Sequence, residues 1–386
     1  MDSATYLSEI ERIARDTAAP NAATVDREPR FPSETLAALK RAGALSAAVP
    51  TDLGGSGLEP DAIARSCTVL ARACSASAMI FAMHQIQVLL LVRHRDGAQF
   101  FEDYLRRLAA EQRLIASATS ERGTGGDLGR SIAAVEDAGA GKLKLTKQCS
   151  VLSYGEDADD YLTTLRRSPQ SEQTDQVLVL HTAEQTRAEA TGTWDPLGVR
   201  GTLSPPFTLS ATFTPEQIVA TPFARTMTES MVPLSHLLWS RVWLGIASEA
   251  YDRAHACVRS RAHSDSERVL PGAQRLASVG AELSLLRAEV ARALQDFDAI
   301  GVEEREKLST LSMILRFNNL KIACSELSVR VTLGALEVIG LEGYASAGEH
   351  SVERLVRDIL SAPLQVSNER IRDTDARLLL IAKERD

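Results

Sequence analysis

Cysteine is scarce and unpaired in this chain. The five thiols, Cys67, Cys74, Cys149, Cys257 and Cys324, form an odd set with no C-x-x-C spacing. A disulfide framework or a cysteine zinc site is excluded, and buried reduced thiols are expected. Positive charge is also in short supply: the formal net charge is -8, and the lysines and arginines are scattered among acids. Nucleic acid is excluded as principal partner, because phosphate binding needs a clustered basic face. No basic segment followed by an apolar run opens the chain, where Asp2, Glu9 and Glu11 fall instead. A secretory signal is therefore not expected. The longest apolar stretch, Ile80 to Val92, is interrupted by His84 and Gln85 and is too short for a bilayer span. No membrane association and a cytoplasmic location are expected. There is no internal repeat, and no helical periodicity between about Ile115 and Thr221.

What is present is an ordinary globular composition, 44% hydrophobic and 24% charged. At 386 residues the chain exceeds what one core organises, so two or three units are expected. Leu7, Ile10 and Ile13 recur at helical spacing, and Pro32-Ser33-Glu34 opens a second helical run. Val49-Pro50 to Gly57 breaks the pattern with three glycines in four residues. Helical pattern then resumes through about Leu108. The middle third holds short β-type segments, among them Val177 to Leu180 and Thr208 to Phe213. From Val232 onward long apolar stripes return, such as Leu283, Leu286, Val290, Leu294 and Phe297. Stripes that broad need each other's faces, so a bundle is predicted. The expectation is an α+β chain: helices over 1–113, an antiparallel, barrel-like β domain over 114–225, and a C-terminal four-helix bundle over 226–386.

Four further segments carry information beyond class. Ala118-Thr119-Ser120-Glu121-Arg122-Gly123-Thr124-Gly125-Gly126-Asp127 puts hydroxyls before a glycine cluster, a turn whose N–H groups can approach a planar or anionic ligand. A hairpin loop explains it equally well on local pattern. Trp194-Asp195-Pro196-Leu197-Gly198-Val199-Arg200-Gly201-Thr202 is turn-rich and leads into a strand. Ala335 to Tyr344 reads as a helix stopped by Gly340, with Gly343 three residues on, where a simple C-cap would suffice. Arg354-Leu355-Val356-Arg357-Asp358 reads alone as a solvated charge run.

Taken in order, these segments and the Val49–Gly57 loop resemble the acyl-CoA dehydrogenase family over essentially the whole chain. The resemblance implies an α–β–α fold, FAD between the β domain and the bundle, and a homotetramer or homodimer. It places Ser120 where a threonine hydroxyl meets the flavin ring, flanked by Ser117 and Thr119. Gly125 and Gly126 fall where the chain passes the pyrophosphate and the thioester arm. Arg122 and Gly126 replace the family's proline and serine. Lys147 to Val151 stands for the strand that carries a flavin-covering tryptophan; that tryptophan is missing, and Ser150 or Ser153 would supply the hydroxyl. Arg261 and Gln274 echo the family's arginine and glutamine, while Gly340, Gly343 and Asn368 complete the implied cofactor contacts.

Dehydrogenation of an acyl thioester needs a buried carboxylate of raised pKa opposite the flavin. The family's usual position falls on Val366, and the position used by some relatives falls on Ser240. Neither residue can act as a base. Glu369, three residues beyond Val366, and His236, one helical turn before Ser240, are the candidate replacements, each with a bland alternative as a surface acid or a satisfied core histidine. His84, with Ser240 and Gly126, is expected to line the substrate pocket. The resemblance implies first an FAD-dependent dehydrogenase of an unusual acyl thioester, on CoA or a carrier protein, passing electrons to an electron-transfer flavoprotein. The alternatives are a flavin monooxygenase of the same fold, supplied by a flavin reductase, and a non-catalytic member.

Overall fold

Residues 2–264 and 272–380 are described by the computed structural model. Six helices come first: α1 Ser3–Ile13, α2 Ala19–Arg27, α3 Ser33–Arg41, α4 Pro60–Ala73, α5 Ser75–His94 and α6 Gln99–Glu111. Asp2 caps α1 by accepting the N–H groups of Ala4 and Thr5 at 3.1 and 3.0 Å. α5 is the central helix. Its sequence is apolar on every side, and only Met83 and Val92 escape full burial. By length and composition it could cross a membrane, yet 89% of its apolar window is buried inside the fold.

Seven strands follow: β1 Ile115–Ala118, β2 Glu136–Gly139, β3 Lys142–Cys149, β4 Asp160–Arg166, β5 Gln176–Thr182, β6 Thr186–Ala190 and β7 Phe207–Phe213. They form two sheets, ordered β1-β4-β5 and β2-β3-β7-β6. Every strand pair is antiparallel except β1 with β4, which run parallel. The chain leaves β1, builds β2 and β3 in the other sheet, and returns to β4 in the same direction, a crossover that short-segment patterning cannot reveal. β4 and β5 are covered on both faces and read as nearly unbroken buried runs. A buried clasp joins this domain to the helices before it: Arg113 donates to both carboxylate oxygens of Asp160 at 2.7 Å, and the Tyr104 hydroxyl donates to the same carboxylate at 2.7 Å.

The helices resume with α7 Phe223–Thr226 and a π-helical turn, Met227–Met231, that runs into α8 Val232–Ser264. α9 Ala273–Asp298, α10 Leu311–Ile339, α11 Leu341–Tyr344, α12 Glu353–Ile359 and α13 Asn368–Leu379 complete the chain. α8 is the hub, buried against α4, α5, α9 and α10. All five cysteines are buried and free.

Candidate active-site cleft

A cleft of about 1220 Å³ lies where α5, β1, the Trp194–Thr202 loop, α8, α10 and α13 converge. Its floor near β1 follows strand periodicity. Ser117 and Thr119 are partly exposed and alternate with buried Ala116 and Ala118, so both hydroxyls project from one face of the strand end. Neither hydroxyl has a partner among the described residues. Ser120 differs from expectation: its hydroxyl donates to the Val151 carbonyl at 2.5 Å and accepts the Val151 N–H at 3.2 Å. It ties two loops together and is not free for a ligand. Ser150 points to solvent, outside the lining, whereas Ser153 lines the cleft and accepts a hydrogen bond from Ser204 at 2.8 Å.

Gly125 and Gly126 both adopt left-handed backbone, with φ of +63° and +83°. Gly126 lines the cleft, and the Arg370 guanidinium reaches across from α13 to the Gly125 carbonyl. The turn is anchored from below by Glu121, a buried carboxylate that accepts Ile132 N–H at 3.1 Å and Ala133 N–H at 2.6 Å. Lys147 lies 3.6 Å from that carboxylate and donates to the Thr164 carbonyl at 2.7 Å.

The two expected replacement bases take different positions. His236 is 2% exposed and lines the cleft. Its Nδ1 lies 3.0 Å from the Phe317 carbonyl, an acceptor only, so Nδ1 carries the proton and Nε2 presents a lone pair. Burial is the main force lowering its pKa, to about 3, against the Phe317 contact and with help from Lys321. The ring is therefore a neutral hydrogen-bond acceptor and a weak base. Glu369 is 81% exposed and pairs with Arg372 at 2.6 Å at the cleft mouth, not in an apolar pocket. The other lining carboxylates, Asp127 and Asp373, are exposed too. Among the described residues no buried carboxylate faces this cleft.

Val366 lines the cleft with φ of +53°, a conformation costly for a β-branched residue. The strain is held by Lys321, which is fully buried and whose ammonium donates to the Val366 carbonyl at 2.5 Å, the Ala362 carbonyl at 3.1 Å and Asn368 Oδ1 at 2.6 Å. Burial lowers the Lys321 pKa to about 7, while Glu326 pulls it upward. Val366→Gly is expected to stabilise the protein by about 1 kcal/mol in urea unfolding, because glycine adopts this backbone without strain. A destabilised variant would refute the reading.

Several expected site residues lie elsewhere. His84 is fully buried, donates through Nε2 to the Leu45 carbonyl at 2.7 Å and accepts the Ile115 N–H at 3.1 Å. It pins α5 to β1, while its neighbours Met83 and Gln87 line the cleft. Ser240 is buried beside Cys324, outside the lining. Asn368 is committed to Lys321 and to Ser325, at 3.0 Å. Arg261 donates to the Ile339 carbonyl at 2.8 Å next to Gly340 and Gly343, and Gln274 is exposed near the start of α9. This group gathers at the end of the bundle, away from the cleft. Lys321, Trp239 and the cleft methionines were not singled out in the sequence. The spacings Met79/Met83 and Met227/Met231, each one helical turn, were the available signal.

The cleft fits a flavin. Unpartnered hydroxyls of Ser117 and Thr119 stand along one edge, left-handed glycines bring backbone close, and Trp194 supplies an aromatic wall. Such a cleft between a β domain and a helical bundle defines a flavin-dependent oxidoreductase scaffold. Residues 2–112 match the acyl-CoA dehydrogenase N-terminal domain and residues 232–364 match the acyl-CoA dehydrogenase C-terminal domain, and the chain belongs to the acyl-CoA dehydrogenase family. It is 34% identical over 118 residues to a probable acyl-CoA dehydrogenase of Mycobacterium leprae, a match spanning 31% of this chain and 30% of that relative's length. The mouse short-chain specific acyl-CoA dehydrogenase is 25% identical over 355 residues, 88% of this chain and 80% of its own. Among solved structures, the dibenzothiophene monooxygenase of a Paenibacillus species superposes with TM-score 0.80 at 19% identity, covering 99% of this chain and 98% of its own. At that identity the likeness establishes the fold alone.

Proposed function

We propose that the protein is a flavin-dependent monooxygenase on the acyl-CoA dehydrogenase scaffold, using reduced flavin delivered by a separate reductase. The observation that carries this reading is the missing base. Val366 occupies the family's carboxylate position, every carboxylate lining the cleft is exposed, and His236 is too acidic as its conjugate to draw a proton from carbon. Dehydrogenation of an acyl thioester, which the sequence resemblance favours first, has no group to perform it. Oxygenation needs none: one atom of dioxygen enters the substrate, the other leaves as water, and two electrons come from the reduced flavin.

The flavin, when bound, supplies those electrons and activates dioxygen. The chain's own residues bind and exclude. Ser117 and Thr119 would hydrogen-bond a flavin edge, and the Trp194–Thr202 loop would cover it. The residues carried over for the adenosine end of FAD, Arg261, Gln274, Gly340 and Gly343, lie off the cleft. FMN is taken as the flavin because a dibenzothiophene monooxygenase of this fold has an FMN-bound structure. The test is oxygen uptake by the protein with chemically reduced FMN, under isotopically labelled dioxygen, with a panel of aromatic alcohols, amines and sulfides. Labelled product from a panel member is expected. No labelled product across the panel, with flavin merely reoxidised, would overturn the proposal.

A further inference from the structure

The cleft is chemically divided. Its ionic lining residues, Asp127, Arg357, Glu369, Arg370, Asp373 and Arg377, all come from the β-domain loop, α12 and α13. The wall built by α5, the π-helical turn, α8 and α10 contributes none. Instead it gathers five of the chain's six methionines: Met79 and Met83 from α5, Met227 and Met231 from the two ends of the π-helical turn, and Met313 from α10. The sixth is Met1. Methionine used this selectively builds a soft, polarisable, adaptable surface, and thioethers make favourable contacts with aromatic rings. Trp239 and Phe317 complete the wall.

One polar group in that wall is held ready. The His236 ring is fixed by its Nδ1 contact with the Phe317 carbonyl, at 3.0 Å. Its Nε2 has no partner among the described residues and is not among the enclosed orphan atoms, so it opens on the cleft. A neutral acceptor on an uncharged wall, whose other polar members are Gln87, Thr228, Ser235 and Asn318, favours a ligand with a matching donor, since an unmet donor or acceptor there is costly. A carboxylate, sulfonate or phosphate finds no cation on this side.

We propose that this end of the cleft is a chamber for an uncharged aromatic compound bearing one hydroxyl or amine donor, its ring faced by the methionine thioethers and its donor bonded to His236 Nε2. This deepens the monooxygenase reading by assigning its substrate class, and it is tested by binding without turnover. Protein carrying [13C-methyl]methionine is titrated with 2-naphthol, 2-methoxynaphthalene and naphthalene-2-sulfonate, following the methionine methyl resonances. The expected result is that 2-naphthol shifts the five cleft methyls. It should bind roughly tenfold more tightly than the methoxy analogue, the difference one hydrogen bond makes, with no shift from the sulfonate. His236→Leu should equalise naphthol and methoxynaphthalene while the methyl shifts persist. Absence of methyl shifts with 2-naphthol, equal affinities in the wild type, or binding of the sulfonate would each overturn the chamber. If the methyls respond while no labelled oxygen is transferred, the chamber stands and the oxygenation reading falls.

Discussion

Replacing Gly198 with alanine is expected to cost about 3 kcal/mol or more of stability and to weaken flavin binding by more than an order of magnitude. A Cβ at Gly198 would fall 2.2 Å from the Arg357 carbonyl oxygen and 2.6 Å from the Asp358 backbone nitrogen. Both are backbone atoms of α12, so neither can swing aside. The loop from Trp194 to Thr202 would have to lift off. With it would go the hydrogen bond from the Val199 N–H to Asp358 Oδ1 at 2.6 Å and the one from Arg357 to the Leu197 carbonyl at 3.0 Å. Asp358 is 3% exposed, and burial already raises its pKa. Stripped of the Val199 N–H it becomes a poorly solvated buried carboxylate, which is the expensive part of the change. Urea unfolding and fluorescence titration with FMN measure the two effects. A variant with wild-type stability and wild-type FMN affinity would remove the loop from the cofactor site.

Acidification is expected to unfold the protein well above pH 4. Four imidazoles are almost completely buried: His84, His94, His181 and His236. Burial is the leading cause lowering all four, to about 4, 4, 3 and 3 respectively. Each is neutral in the fold and protonates near 6.5 once unfolded. As pH falls through that window the unfolded chain takes up protons that the folded chain refuses, so stability drops with falling pH. Asp298, raised to about 6 chiefly by burial, works in the opposite direction, as do Asp157, Asp160, Asp358 and Asp375, which burial also raises. Each proton by which the rings' uptake on unfolding exceeds the carboxylates' release lowers stability by about 1.4 kcal/mol per pH unit, against an ordinary folding free energy of roughly 5–15 kcal/mol. Circular dichroism against pH checks this. A native spectrum retained at pH 4 would mean these rings find partners for their charged forms.

The order of helices, strands and helices was legible because hydrophobic period changes twice along the chain, and the long stripes of α9 and α10 could be read residue by residue. The parallel pairing of β1 with β4 was not, since it depends on a crossover between sheets. Thr119, Gly126 and Val366, the positions the motifs pointed to, all line the cleft. The cleft was illegible where a residue's role depends on what packs against it. His84 and His236 look alike in the sequence, each a lone histidine in an apolar helix. One is spent at both nitrogens on backbone groups, and the other keeps Nε2 open. Ser120 sits in the expected motif, but the Val151 backbone claims its hydroxyl. Lys321 reads as an ordinary helix lysine, and only the fold reveals that it fastens the loop bearing Val366.

The account turns on Val366 standing where a base would be needed. The direct measurement is an anaerobic absorbance titration of the flavin-loaded protein with short-chain, long-chain and aromatic acyl-CoA thioesters. The oxidised flavin band is expected to persist unchanged through every titration. Bleaching by any one of them would show that this cleft removes a proton and a hydride from an acyl thioester, and would return the protein to dehydrogenation.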